Sequence, residues 1–236
     1  MNRFSDNLKY GGRNEMKKKK NLVLIHNSMV LMNQLKEICQ EVIPHIEVIN
    51  LMDESLLRDI MNLSNVNQKM VKRICFYAMS AEELGADAVL MTCSSLSETV
   101  DVAKNLVNIP VLKIDEPMAI KAVKYTTKIG VMGTLQSVVG PSKRLIERKA
   151  KDLGKKVNIE SLVCEKAFKA LIKGDREKHN QLLLQEVDKI VKKVEIIVLA
   201  QGSMTAFAPI LARETGLNVL TCLESGIKTA GEVLSQ

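Results

Sequence analysis

The sequence repeats one set of residues at a nearly constant spacing, and this duplication restricts the folds that the chain can adopt. Cys93 and Gln201 each come directly after an apolar run, and they lie 108 positions apart. Three further pairs share an offset of 106 or 108 positions: Ser28 with Thr134, Val111 with Val219, and Glu116 with Glu224. Recurrence at one offset along the chain indicates internal duplication. We therefore predict two topologically similar halves of about 100 residues each, within the usual size of a domain.

Within each half, apolar runs of strand length alternate with amphipathic stretches. The runs NLVLIH, DAVLMT, KIGVMGT and EIIVLA are predicted to be strands. Val71, Ile74, Cys75 and Ala78 follow helical spacing, and residues 183–194 predict one face of a later helix. Continuous Val, Ile and Leu runs are typical of parallel sheets covered by helices. The pattern predicts an α/β fold with two pseudo-symmetric doubly wound domains, each built on a parallel sheet.

The domain boundaries follow from the same pattern. We expect a flexible basic leader over residues 1–20, a first α/β half over 21–115 and a second half over 116–218. The C-terminal segment 219–236 is predicted to join the first half.

The formal net charge of +7 raises the question of a nucleic-acid partner. Four of these charges, Lys17 to Lys20, lie together in the leader, and the remaining lysines recur on the polar sides of helical patterns. Because no nucleic-acid motif or basic–aromatic groove accompanies them, we predict no nucleic-acid partner. No run approaches the ~18 apolar residues of a membrane helix, so no membrane partner is predicted either.

The five cysteines show no CxxC or Cys/His spacing. Metal ligation is therefore not predicted. An odd number of thiols in a chain with a large apolar core favours a reducing compartment, and the cytoplasm is the expected location.

Ligands of open parallel sheets bind at the carboxyl ends of the strands. Cys93 and Gln201 both come at such ends, one in each half. We expect them on opposite walls of one cleft, which would then hold the active site.

The stretches DAVLMTCSS, IGVMGTLQS and EIIVLAQGSM, together with the duplicated layout, resemble the aspartate/glutamate racemase superfamily. That superfamily includes hydantoin racemases, maleate cis–trans isomerases and arylmalonate decarboxylases. The resemblance extends from about Asn21 to Leu234. It implies two pseudo-symmetric domains around a small carboxylate substrate, proton transfer by cysteines, no cofactor and a homodimer.

The resemblance also implies roles for individual residues. Cys93 matches the first catalytic cysteine, and the polar pair after it matches a carboxylate-holding turn. The other implied substrate-binding residues follow the first strand of each half or the second cysteine position. The implied substrate-binding set is Asn27, Ser28, Ser94, Ser95, Thr134, Ser137 and Ser203.

Gln201 occupies the position of the family's second catalytic cysteine. A carboxamide is not a useful base near pH 7, but it can hydrogen-bond a substrate carboxylate or a developing enediolate. The sequence therefore predicts a cofactor-independent racemase or isomerase acting beside a carboxylate, with Cys93 as acid/base. Two alternatives stay open: a one-cysteine lyase, decarboxylase or maleate-type isomerase, and a catalytically silent protein that binds small carboxylates.

Several of these residues also have purely structural explanations. A cysteine at a strand end is commonly a small buried apolar residue, and the serines after it could cap a helix. Glu116 and Glu224 are expected to begin helices and to interact with the helix dipole. His26 is expected to be a structural histidine, and Cys222 a structural thiol.

Overall fold

The computed structural model describes residues 19–63 and 66–236. Almost all of the predicted leader, residues 1–18, lies outside these ranges. Two four-stranded parallel sheets with flanking helices form the described chain, which confirms the predicted fold class.

The first half contains four strands with their helices in alternation. These are β1 (Asn21–His26), α1 (Met29–Val42), β2 (Glu47–Met52), α2 (Glu54–Leu63), α3 (Gln68–Glu83), β3 (Ala88–Met91), the 3₁₀ helix η1 (Ser94–Thr99), α4 (Val100–Ala103) and β4 (Val111–Lys113). Helix α5 (Glu116–Tyr125) leads into the second sheet.

The second half follows the same order. It consists of β5 (Lys128–Gly133), α6 (Gln136–Asp152), β6 (Asn158–Val163), α7 (Glu165–Ile172), α8 (Arg176–Val187), the 3₁₀ helix η2 (Val191–Lys193), β7 (Ile196–Leu199), the 3₁₀ helix η3 (Gly202–Phe207), α9 (Ala208–Thr215), β8 (Asn218–Leu220) and α10 (Leu223–Leu234).

The two sheets have matching topologies. Their strand orders are β2-β1-β3-β4 and β6-β5-β7-β8, with every neighbouring pair parallel. In each sheet the direction of winding reverses beside the first strand, between β1 and β3 and between β5 and β7. In open α/β sheets such a switch point opens a crevice at the carboxyl ends of the strands.

A single buried cluster connects the two halves. Leu24 and Leu90 of the first sheet belong to the same apolar core as Val131 and Val198 of the second. Helices α1, α5, α6 and α10 contribute to this core, while separate clusters cover the outer faces of the two sheets. The central strands β1, β3, β5 and β7 are therefore buried on both faces, which explains why their sequences are continuously apolar.

The predicted domain boundaries can be compared with the positions of the helices and strands. The predicted boundary at residues 115 and 116 falls between β4 and α5. In the predicted C-terminal segment 219–236, β8 pairs with β7 of the second sheet, whereas α10 packs against α1 of the first half.

One predicted helix is shorter in the structure. α8 ends at Val187, and the chain continues through the η2 turn towards β7. Ile190 and Val194 are still buried beyond the helix end. Apolar spacing therefore predicted the burial correctly, but it could not separate a continuous helix from a helix followed by a 3₁₀ turn.

Candidate active site

The carboxyl ends of the first sheet place four polar residues side by side. β1 pairs in register with β2 and β3, and β3 pairs with β4 through Met91 and Lys113. Continuing these registers past the strand ends gives one row across the edge of the sheet: Asp53, Asn27, Cys93 and Asp115. Cys93 thus lies at the switch point, between the residues that follow β1 and β4.

Cys93 is hydrogen-bonded to its neighbour in this row. The Asn27 Nδ2–H group donates to the Cys93 Sγ atom at 3.0 Å. Asn27 itself is buried, whereas Cys93 keeps partial exposure. Cys93 also occupies the N-cap position of η1, with extended backbone angles that turn the chain from β3 into the 3₁₀ helix.

Two opposing influences determine the proton affinity of this thiol. Burial raises the pKa of Cys93 and is the dominant cause. The backbone N–H groups of Ser95 and Leu96, together with the Asn27 amide, favour the thiolate and lower the pKa. The negative charge of Asp115 acts in the opposite direction. The net pKa is raised, so Cys93 is a thiol near neutral pH, while its neighbours can accommodate a transient thiolate.

The second half has a corresponding pair of hydrogen-bonded residues, but neither of them is a thiol. Thr134 follows β5 and Gln201 follows β7, at the other switch point. The backbone N–H and the hydroxyl of Thr134 donate to Gln201 Oε1 at 2.5 and 2.8 Å. Since Oε1 accepts both bonds, the Nε2–H group is the end of the carboxamide that can donate to a ligand.

The two pairs correspond to one another in the duplicated fold. Cys93 and Gln201 are N-cap residues of two six-residue 3₁₀ helices, η1 and η3. In each half, the residue after the first strand donates a hydrogen bond to the residue after the third strand. The equivalence predicted from the offset of 108 positions is therefore present in the strand order and in the local hydrogen bonding.

The turn after β7 lies against helices of the first half. A Cβ atom on Gly202 would stand 2.8 Å from a side-chain carbon of Leu31 in α1 and 2.8 Å from one of Leu223 in α10. Arg144 of α6 binds Glu98 of η1 with nitrogen–oxygen distances of 2.7 and 2.9 Å. Each of the turns that carry Cys93 and Gln201 therefore contacts a helix from the other half of the chain.

Asp115 is a residue of this site that the sequence analysis did not select. It directly follows the apolar run IPVLKI, and that position after a run of strand length was the available signal. Burial is the main cause that raises the pKa of its carboxyl group to about 6, while hydrogen bonds from Ser97 and Ser94 oppose the shift. Raised carboxyl pKa values of this kind are common in functional sites.

The remaining predicted site residues lie around the same turns. Ser94 and Ser95 are buried at the start of η1, so neither is the cap residue of that helix. Ser28 precedes α1 as its N-cap without a side-chain capping bond, and Ser137 lies in the first turn of α6. Ser203 is exposed in η3.

The residues with structural explanations behave as those explanations require. His26 is fully buried, contacts Asn50 and Thr92, and has a lowered pKa because of burial. Glu116 begins α5, and Glu224 lies in the first turn of α10. Cys222 is buried at the start of α10, where burial raises the pKa of its thiol to about 12.

Within residues 19–63 and 66–236, no group of three or more His, Cys, Asp or Glu side chains is arranged to hold a metal ion. No helix in these ranges has the length and apolar character needed to cross a bilayer.

The fold and the site define a class of protein: duplicated α/β halves with a thiol-bearing turn at one switch point and its counterpart at the other. Residues 25–230 match the family model described as Asp/Glu/Hydantoin racemase. The chain therefore belongs to the Asp/Glu/Hydantoin racemase family.

Individual relatives agree with this assignment. A glutamate racemase of Streptococcus thermophilus is 25% identical over 151 residues, which make up 61% of this chain and 54% of the relative. The chain thus spans about half the length of the curated relatives that it matches. A glutamate racemase of Streptococcus mutans is 22% identical over the same length of alignment.

Solved structures show the shared fold. A putative Asp/Glu racemase from Yersinia pestis aligns with a TM-score of 0.75 at 17% identity, covering 92% of this chain and all of that one (100%). An allantoin racemase from Klebsiella pneumoniae aligns with a TM-score of 0.64 at 15% identity, covering 92% of this chain and 88% of the other.

Proposed function

We propose that this protein catalyses cofactor-independent proton transfer at a carbon next to a carboxylate or an equivalent carbonyl group, with Cys93 as the acid/base. The observation that carries the proposal is the environment of the Cys93 thiol. It lies at a switch point, partly exposed, with the Asn27 amide at 3.0 Å and the N–H groups of Ser95 and Leu96 favouring its ionised form. A purely structural cysteine has no need of an amide donor at its sulfur.

The chemistry assigned to Cys93 is the delivery of a proton to carbon. The S–H bond breaks as a C–H bond forms on a carbanion or enediolate, and sulfur keeps the electron pair. The resulting thiolate is stabilised by the Asn27 amide and the two backbone N–H groups. Removal of a proton from carbon is the reverse of this step.

Gln201 is proposed to bind the substrate rather than to move a proton. Its carboxamide is held by Thr134, and the Nε2–H group can donate to a substrate carboxylate or to the negative charge that develops on an enediolate oxygen. Ser94 and Ser95, and the hydroxyls of Ser28, Ser137 and Ser203, are proposed to provide further donors around the substrate.

The absence of a second thiol at position 201 favours a one-sided reaction as a second candidate. Racemisation by two bases needs a proton handler on each face of the carbon, and a carboxamide cannot replace one. A decarboxylation followed by protonation from Cys93 needs only one. The relatives and structural neighbours include glutamate and allantoin racemases, and this similarity supports the isomerase candidate.

The charge of the site bears on the substrate class. None of the nine proposed site residues is Lys or Arg, and the acidic Asp115 is buried beside Cys93. This arrangement favours a substrate with a single negative charge or a neutral cyclic amide over a dicarboxylate.

Solvent deuterium exchange followed by NMR tests the proposal. The protein is incubated in D₂O with aspartate, glutamate, hydantoins including allantoin, maleate and arylmalonates. We expect at least one compound to exchange its α-hydrogen, isomerise or lose CO₂, and we expect this activity to disappear in Cys93→Ala. The configuration of the labelled product separates one-sided protonation from racemisation.

Cys164→Ala is the matched control. Cys164 follows β6 at the carboxyl edge of the second sheet, as Cys93 follows β3 at that edge of the first, but the Cys164 side chain is buried in the outer core of its half. Equal loss of activity in both variants, or unchanged activity in Cys93→Ala, would contradict the proposal. Thermal stabilisation by a carboxylate without any turnover would instead establish a binding protein.

A further inference from the structure

Asp115 is the most deeply buried acidic side chain at the edge of the first sheet. Its relative exposure is 1%, and Oδ1 accepts a hydrogen bond from the Ser97 hydroxyl at 2.5 Å. Its other carboxylate oxygen, Oδ2, has no hydrogen-bond partner among the described residues. An unpaired, buried carboxylate oxygen is costly and calls for a physical explanation.

The register of the sheet places this carboxylate next to the catalytic thiol. β3 and β4 pair through Met91 and Lys113, and the Ile114 N–H group continues the pairing by donating to the Met91 carbonyl at 3.1 Å. Two residues beyond that pair are Cys93 and Asp115. In the second half, the residue that corresponds to Asp115 at the same offset is Leu223. The carboxylate is therefore present only in the half that also carries the thiol.

The charged groups around the thiol are largely committed to other partners. Lys113 of β4 is buried and binds both oxygens of Asp101 at 2.8 Å. From α6, Arg148 binds Asp101 and Arg144 binds Glu98. The titratable groups left near the thiol are His26 from β1 and Cys222 from α10, which burial keeps neutral, and Asp115 itself.

We propose that Asp115 is a positioning residue that holds the Cys93 side chain in its thiol form, so that Cys93 meets the substrate as a proton donor. The inference rests on the proposed function of Cys93 and specifies the direction in which the proton moves first. A carboxylate in the adjacent position of the row disfavours a second negative charge on sulfur. The thiolate left after proton delivery is then reprotonated readily, because the same charge raises its proton affinity.

Burial is the main influence that opposes the donors around the Cys93 thiol, and the Asp115 charge adds to it. Asn27 and two backbone N–H groups all favour the thiolate, and donors of this kind ordinarily lower a cysteine pKa. Burial and the Asp115 charge act against them, and the net shift is upward. Removing the Asp115 charge leaves the donors and the burial in place, and should therefore lower the pKa of the Cys93 thiol.

The test is the pH dependence of Cys93 alkylation, which requires no substrate. The wild type and Asp115→Asn are treated with iodoacetamide over a range of pH, and modification of the Cys93 peptide is followed by mass spectrometry. We expect the alkylation midpoint of Asp115→Asn to fall by about one pH unit or more, which at neutral pH is roughly a tenfold higher thiolate fraction. Glu98→Gln is the matched control: it removes one charge from the same turn, but that charge is directed at Arg144.

The outcomes are distinguishable. A shift in Asp115→Asn with none in Glu98→Gln supports the inference. An unchanged midpoint in folded Asp115→Asn, or equal shifts in the two variants, overturns it. Asp115→Ser, a smaller neutral replacement, gives the same decision if the asparagine variant does not fold, and a wild-type midpoint at or below the ordinary cysteine value overturns the inference without any variant. Because alkylation is measured without turnover, a failure of the proposed reaction in the deuterium experiment is recognised separately.

Discussion

Replacing Asp115 with asparagine removes a buried charge while nearly preserving the shape of the side chain. In the folded protein, burial raises the pKa of this carboxyl group from 3.8 to about 6. At ~1.4 kcal/mol per pKa unit, the difference corresponds to a destabilisation of about 3 kcal/mol when the group is ionised. Solvent screening does not reduce this energy appreciably, because the Asp115 side chain is almost completely excluded from solvent, at 1% exposure.

The direction of the pH dependence follows from proton binding. Between the unfolded and the folded pKa, the folded protein holds a proton that the unfolded chain has released. The free energy of unfolding of the wild type therefore contains a contribution that is fully present below the unfolded pKa of 3.8 and is lost as pH rises to about 6. Asparagine makes no such contribution. The free energy of unfolding of Asp115→Asn should therefore rise by about 3 kcal/mol relative to that of the wild type between pH ~4 and ~7.

Urea unfolding of both proteins across this pH range, followed by far-UV circular dichroism, measures the difference. Effects of asparagine that do not depend on pH, including its altered hydrogen bonding to Ser97, cancel when the difference is compared between two pH values. A difference that stays constant within about 0.5 kcal/mol would refute the argument that Asp115 titrates abnormally.

Asp53 provides a control of opposite sign at the other end of the same row. Its pKa is lowered to about 2, because hydrogen bonds from Tyr77, Ser55 and Arg73 outweigh the effect of burial. Asp53→Asn should therefore be less stable than the wild type at neutral pH, and the deficit should shrink as pH falls from about 4 towards 2.

Three further predictions follow from the contacts of the site. Asn27→Ala removes the donor to Cys93 Sγ and should raise the alkylation midpoint of Cys93, opposite to Asp115→Asn; a fall in the midpoint would contradict the assigned hydrogen bond. Gln201→Cys restores a thiol on the second side and should increase loss of chirality relative to one-sided exchange in the deuterium experiment, whereas an unchanged product ratio would show that position 201 does not face the reacting carbon. Gly226→Ala places a Cβ atom 2.6 Å from the Ile114 carbonyl oxygen and should lower the free energy of unfolding, measured by urea unfolding, by about 1–3 kcal/mol.

The duplication and most of the strands could be predicted because they depend on local composition and on position along the chain. A strand buried on both faces must be continuously apolar, so β1, β3, β5 and β7 were visible in the sequence. The edge strand β6, with the mixed sequence NIESLV, is partly exposed and carried no comparable signal. The offset between Cys93 and Gln201 likewise predicted their equivalence, because equal chain lengths between equal elements place residues at the same strand end.

The hydrogen bonds and proton affinities of the site depended on the tertiary structure. The sequence shows that Cys93 follows a strand, but it does not show that β1 and β4 flank that strand and bring Asn27 and Asp115 to either side of the thiol. These residues are 66 and 22 positions away from Cys93 in the chain. Strand order is determined by packing between distant segments, and burial of a carboxyl group depends on every element that covers it. The sequence by itself therefore determined which residue after a strand bears a thiol and which half carries it, whereas the folded arrangement decided that this thiol lies between an amide donor and a buried acid, with a raised pKa.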